Sequence, residues 1–316
     1  MTLKSHSALH RPVMLHEAVE QVFTSSDGIY VDGTVGTGGH SEALCSKMSS
    51  RGLLIGLDKD EAAIRISRKR LAPFGKRVHL VRESYSRLDR VLADLDIEKV
   101  HGVLLDLGMS TYQLEGSGRG FSFSRDEPLD MRMDLDGEVT AGGLVNSLSA
   151  KELEKLLRSY GEEKQARAIS RAIETERIKG PIDSSLGLAN LVASALRRSH
   201  RTGARHPATR TFQALRIAVN RELDTLGAFL EKIPLLLVQG GRLVVLSYHS
   251  LEDRMVKQAM IDWEGGCRCP PEFPECRCGR VPLLRRVHKR GIKPTSEEKS
   301  DNPRARSAIL RTAERI

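Results

Sequence analysis

Long apolar runs are missing from this 316-residue sequence. No stretch nears the roughly 18 residues that a membrane-crossing helix needs. The opening Met1-Thr-Leu-Lys-Ser-His has no apolar core of a secretory signal. Both absences point away from a membrane or exported protein and toward a cytoplasmic one. Cysteine is scarce: there are five, four of them between Cys267 and Cys278, too few for a disulfide framework in so long a chain. No internal repeat or low-complexity tract is visible, so fibrous classes fall away as well. The hydrophobic share of 40% is ordinary for a soluble globular protein, and the length suggests about two domains.

Acidic residues are absent between Arg197 and Arg221, where seven arginines stand. From Arg254 to Ile316 there are 15 Lys and Arg against 8 Asp and Glu, so this tail supplies most of the formal net charge of +9. Such clustering is the footprint of a polyanion binder, and equally that of a solvated basic face.

The first hundred residues alternate between short apolar strands and amphipathic helices. Strand patterns fall at 28–33, 52–58, 78–81 and 100–106, and helical ones at 17–22, 41–48, 61–71 and 88–95. This rhythm predicts βαβ units and a parallel sheet covered on both faces. It stops at 113–136, a long stretch of glycine, serine and charge that reads as a functional loop. Ser149-Ala-Lys-Glu152 is a capping box opening a helix with Leu153, Leu156, Leu157 and Tyr160 on one face. Further helix runs to Ile178 and over 186–196. Strand signals return at 235–238 and 241–247. The expected architecture is α/β: a Rossmann-type, doubly wound, mostly parallel sheet over 1–113 and 207–316, with an all-helical insertion at 114–206.

Val31-Asp-Gly-Thr-Val-Gly-Thr-Gly-Gly-His40 falls where the first strand hands over to the first sheet helix. Glycine lets the backbone turn sharply and approach a ligand closely. Asp58 ends the next strand, where an acidic residue can take both hydroxyls of a ribose. Together they describe a nucleoside-cofactor site at the carboxyl edge of a sheet. A dinucleotide fingerprint, Gly-x-Gly-x-x-Gly/Ala, fits Gly36 and Gly38 but wants glycine or alanine where Ser41 stands. The pattern Asp32-x-Thr34-x-Gly36-x-Gly38 instead resembles the first motif of S-adenosylmethionine methyltransferases.

Longer strings carry a closer resemblance. Leu104-Leu-Asp-Leu-Gly-Met-Ser110, Arg119-Gly-Phe-Ser-Phe123, Pro128-Leu-Asp-Met-Arg-Met-Asp134, His206-Pro-Ala-Thr-Arg-Thr-Phe-Gln213, Ser247-Tyr-His-Ser-Leu-Glu-Asp-Arg254 and Asn302-Pro-Arg-Ala-Arg-Ser307 resemble the bacterial MraW (RsmH) family. That family methylates the exocyclic N4 of a cytidine in 16S ribosomal RNA of the small subunit. The likeness runs from about His10 to Arg315. Tyr112 departs from a common proline, and Tyr85 and Tyr248 from common phenylalanines. The resemblance implies S-adenosylmethionine as cofactor, with Gly38, Gly39 and His40 at its amino-acid portion and Asp58 on its ribose. It also implies Tyr85 beside the adenine, and Asp106 and Gln113 completing the pocket.

The methyl of a sulfonium is already activated, so positioning is the main catalytic task. The cytosine amine is the weak partner, and an acceptor near it must draw off a proton. Asp106, carbonyls of the loop after it, and His249 or Ser250 are candidates, with His249 equally readable as structural. A base-modifying enzyme needs its base unstacked, and 16S ribosomal RNA or the whole small subunit is the expected partner. Arg205, His206 and Arg210 in the acid-free stretch are the expected substrate contacts. Cys267, Cys269, Cys276 and Cys278 can form a tetrahedral zinc site or remain four reduced thiols. Methylation of DNA or a small molecule, and an assembly factor retaining a cofactor pocket, are the competing functions.

Overall fold

The computed structural model describes residues 12–196, 206–265, 273, 275 and 281–316. The chain divides into two compact units, Met1–Gly108 with Asp224–Ile316, and Met109–Leu223. The four clustered cysteines and Arg205 lie outside the described residues.

The first unit opens with α1 (Leu15–Val22), β1 (Ile29–Asp32), α2 (Gly39–Lys47), β2 (Leu53–Asp58) and α3 (Glu61–Leu71). It continues with β3 (Val78–Arg82), α4 (Leu88–Asp94) and β4 (Val100–Asp106). The helical elements that follow are α5 (Thr111–Glu115), α6 (Ala141–Ser147), α7 (Ala150–Gly161), α8 (Ala166–Glu176), α9 (Ser185–Ala195) and α10 (Thr209–Asn220). The chain closes with α11 (Glu222–Leu236), β5 (Leu237–Ser247), α12 (Ser250–Trp263), β6 (Leu284–Arg286), α13 (Ser296–Asp301) and β7 (Ile309–Arg315).

The strands form one seven-stranded sheet in the order β3-β2-β1-β4-β5-β7-β6. β1 to β5 run parallel and β7 runs against both its neighbours. Burial on both faces explains the unbroken apolar runs. Val31, Ile55, Val103 and Val245 pack on one face with Phe229 of α11 and Val256 of α12. Their chain neighbours Tyr30, Leu54, Leu104 and Val244 pack on the other with Val19 of α1 and Leu44 of α2.

One strand reading needs correction. Residues 235–238 are not a separate strand: Leu235 and Leu236 finish α11, and Leu237 begins β5. The helical stripe Leu226, Phe229, Leu230, Ile233 runs up to this point, and a four-residue apolar run cannot by itself tell strand from helix end. The pairing of β5 with β4 shifts register between Leu237 and Arg242, so the two strand signals are one irregular strand.

The helical unit has its own core, including Val145, Leu153, Ile169, Val192, Phe212 and Leu215. It is longer than 114–206 because Phe212 and Leu215 bring α10 into that core. The Ser149 capping box is present at the head of α7, as its spacing predicts. The stretch after α5 is held by arginine rather than by strands. Arg119 donates to the carbonyls of Arg132 and Met133 at 2.9 and 3.1 Å. Arg132 forks onto the Asp130 carboxylate and also reaches the carbonyls of Leu135 and Gly137.

Candidate cofactor site at the carboxyl edge of the sheet

The strand order reverses between β1 and β4, the place where open α/β sheets bind ligands beyond their carboxyl ends. Four chain segments end there: Asp32 on β1, Asp58 on β2, Asp106 on β4 and Ser247 on β5.

The glycine turn is stitched to the neighbouring strands. Gly33 N donates to the Leu104 carbonyl at 2.9 Å and Val35 N to the Leu57 carbonyl at 2.9 Å. A side chain at Gly33 would place its Cβ 2.4 Å from Leu105 Cδ2 and 3.0 Å from Tyr85 Cβ, so any larger residue would force the Leu105 side chain to move. Gly38 caps α2 at φ 81°, in the left-handed region that favours glycine. Asp32 is buried beneath the turn, where Oδ2 accepts from the Ser41 hydroxyl at 2.6 Å and Oδ1 from Thr34 N at 3.2 Å. Its burial pushes the carboxyl above the usual range. Ser41, which breaks the dinucleotide pattern, is thus the partner of the first-strand acid.

Asp58 accepts from Gly36 N at 3.0 Å through Oδ2 and from Asp60 N at 2.9 Å through Oδ1. Burial pushes it up to about 6, against the pull of those two amides. Each oxygen keeps a lone pair, since an ionised carboxylate offers about four acceptor sites. Hydroxyl donors would relieve the cost of burying this charge. That chemistry fits the ribose of a nucleoside cofactor.

Asp106 is held on several sides. Its backbone N donates to Thr34 Oγ1 at 2.6 Å, and its Oδ1 accepts from the Tyr248 hydroxyl at 2.5 Å. Oδ2 lies 3.6 Å from His40 Nδ1. His40 Nε2 sits 3.0 Å from the Val13 carbonyl. A carbonyl only accepts, so Nε2 carries a hydrogen and Nδ1 is the face turned to Asp106. Burial raises the Asp106 carboxyl, with His40 and Tyr248 pulling the other way. The Tyr248 hydroxyl is itself held well above its usual range by burial and by Asp106. Sequence reasoning missed Tyr248, Thr34 and the Val13 carbonyl. The signals for Tyr248 were its place directly after a buried strand and within the Ser247–Arg254 string, and neither names Asp106 as its partner.

Tyr85 stands edge-on to Phe229, centroids 5.5 Å apart and planes at 89°. Gln113 belongs to the helical unit, where it is buried and completes a capping box with Ser110 at the head of α5. His249 caps α12, its Nδ1 accepting from Glu252 N at 3.4 Å. Its Nε2 lies 3.1 Å from Glu252 Oε1 but out of hydrogen-bonding line. His206 stacks on Phe123 at 4.5 Å, and its Nδ1 accepts from Ala208 N. Arg210 donates to the Glu162 carbonyl at 3.1 Å. The basic tail is partly neutralised along the sheet edge, where Arg285 meets Glu314, Arg286 meets Glu264 and Arg311 meets Asp253.

The fold and this carboxylate-lined turn define a Rossmann-type enzyme built around a nucleoside cofactor. The chain belongs to the MraW methylase family, whose model matches residues 7–316. It is an S-adenosylmethionine-dependent methyltransferase. It is 48% identical to the ribosomal RNA small subunit methyltransferase H of Geobacter sulfurreducens, over 97% of this chain and 99% of that protein. The protein of the same name from Syntrophus aciditrophicus is 47% identical over 97% of this chain and 98% of its own length. A putative rRNA-methylase of known structure from Clostridium thermocellum aligns over 98% of this chain and 100% of its own, at 14% identity and a TM-score of 0.46.

Proposed function

We propose that the chain transfers a methyl group from S-adenosylmethionine to the exocyclic N4 of a cytidine in 16S ribosomal RNA, and that it works in the cytoplasm. The name shared by relatives at 47–48% identity supports the RNA substrate. Among the described residues, no helix is long and apolar enough to cross a membrane. The observation that carries the reading is the convergence of the glycine turn, Asp58 and Asp106 on the reversal of the sheet.

In this reading Gly38, Gly39 and His40 line the amino-acid portion of the cofactor, Asp58 takes the ribose hydroxyls, and Tyr85 flanks the adenine. When bound, the sulfonium supplies an electrophilic methyl. The chain must then orient the amine and accept its hydrogens, because the lone pair is otherwise delocalised into the ring. Asp106 is the half-buried acceptor assigned to that task, fixed through one oxygen by Tyr248 and facing His40 with the other.

The test is a transfer reaction with isotope-labelled cofactor on 16S RNA and on purified small subunits, followed by nucleoside mass spectrometry. The reading expects labelled N4-methylcytidine at one position. Label on carbon 5 of the base, or on no nucleoside at all, contradicts it. The second outcome would favour an assembly factor that keeps a cofactor pocket.

A further inference from the structure

We infer that the exposed face of α8 binds the sugar–phosphate backbone of the RNA, through Arg167 and Arg171 on either side of a shallow recess. The inference rests on the RNA reading above and adds a surface to it.

Among the described residues, arginines of the helical unit are mostly spent inside it. Arg119, Arg125, Arg177 and Arg210 close on backbone carbonyls, and Arg132, Arg158 and Arg216 on carboxylates. Arg167 and Arg171 differ. Both are exposed, and neither side chain has a hydrogen bond or ion pair among the described residues. They stand four residues apart, so they share one face of the helix about 5–6 Å from each other. Like charges so placed repel and weaken the helix, and a bound polyanion removes that penalty.

The recess between them measures about 440 Å³ and is lined by Gln165, Arg167, Ala168 and Arg171. Its contents suit a phosphodiester. Two guanidinium forks can each take one phosphate in bidentate fashion, the Gln165 amide can donate, and Ala168 keeps the floor low. Lys164 is exposed just before the recess. Arg210, at the head of α10, is anchored on the Glu162 carbonyl two residues earlier, which adds positive charge to the same turn. Acids there are Glu162, exposed, and Glu163, whose buried carboxylate accepts from Gln165 N at 2.9 Å. Glu174, one turn beyond Arg171, forms no ion pair with it. On this inference the surface serves affinity and orientation through phosphate contacts rather than sequence choice.

The experiment uses the full chain with Arg167→Gln and Arg171→Gln together, and Lys151→Gln with Lys155→Gln as the comparison pair. The two lysines are an equally exposed like-charged pair on α7 that does not line the recess. Binding to 16S RNA and to small subunits is measured from low to high salt, with circular dichroism to show that each variant folds. The arginine pair should weaken binding uniformly across RNA sequences and shrink the log–log salt slope by about 1.4–1.8, the contribution of two lost phosphate contacts. Affinity for S-adenosylhomocysteine should stay as in the parent chain. An unchanged slope in the arginine variant, or an equal change in both pairs, overturns the inference. A parent chain that neither binds nor methylates the RNA would sink it together with the proposed function. That failure shows in the unmodified protein and is thereby distinguished from the first two.

Discussion

The carboxyl edge of the sheet and the helical unit use charge in opposite ways. At the edge, Asp32 and Asp58 are held by amides and a hydroxyl, not by cations, and burial lifts Asp32, Asp58 and Asp106 alike. In the helical unit, Arg119, Arg132 and Arg177 are closed off by carbonyls and carboxylates of their own surroundings. A charge completed inside the fold does structural work, whereas one left short of partners is ready for a ligand. Residue type and local charge density alone do not separate the two.

That contrast can be broken by substitution. The largest effect should come from Arg177→Ala, which strands the carbonyls of Val145 and Leu148, now 3.0 and 2.6 Å from its guanidinium. Stability should fall by about 2–3 kcal/mol, read as a lower melting temperature, with cofactor affinity unmoved. A parallel loss of cofactor affinity would break the contrast.

Asp58→Asn should act in the reverse sense. Burial raises the folded-state value to about 6 from the ordinary 3.8, so ionised Asp58 costs folding free energy. The cost is absent below the lower value, grows between the two and is full above about 6. The stability of the ligand-free variant relative to the parent should therefore rise by roughly 1–2 kcal/mol from pH 4 to pH 7.5 after allowance for solvent screening, on top of a pH-independent cost from the Asn Nδ2 that meets a backbone N–H. Cofactor affinity of the parent chain should fall as pH drops below about 6, and Asp58→Asn should flatten that profile. Denaturant melts and calorimetry across pH check both signs.

Tyr248→Phe sharpens the picture at Asp106. Losing the 2.5 Å hydrogen bond should lower kcat by about tenfold, some 1.4 kcal/mol, with cofactor affinity little changed. That hydroxyl holds the Asp106 carboxyl down, so its removal should move the acid limb of the pH–rate profile upward. An unshifted limb would mean that Tyr248 only packs. The smallest effect is expected from His249→Ala: loss of a helix cap, roughly 0.5–1 kcal/mol, with RNA affinity intact. A tenfold loss of RNA affinity would return His249 to the substrate site.

Features carried by nearby residues were legible in the sequence. The bounds of α3 and β4, the Ser149 cap and the glycine turn all follow from local spacing. Features joining distant residues were not. Tyr248 meets Asp106 across 142 positions, and His40 meets Val13 across 27. The partners of the acid-free arginine stretch were hidden for the same reason. Arg210 finds a carbonyl at Glu162, and Arg216 finds Glu222 just past the stretch. Arg167 and Arg171 gave no sequence signal, because what singles them out is that nothing among the described residues answers their side chains.

The account turns on the acid that closes β2. Calorimetry with S-adenosylhomocysteine should show the parent chain and Arg177→Ala binding alike, and Asp58→Ala binding about ten- to hundredfold more weakly. A folded Asp58→Ala chain that binds as tightly as the parent would contradict the placement of the cofactor at the carboxyl edge of the sheet.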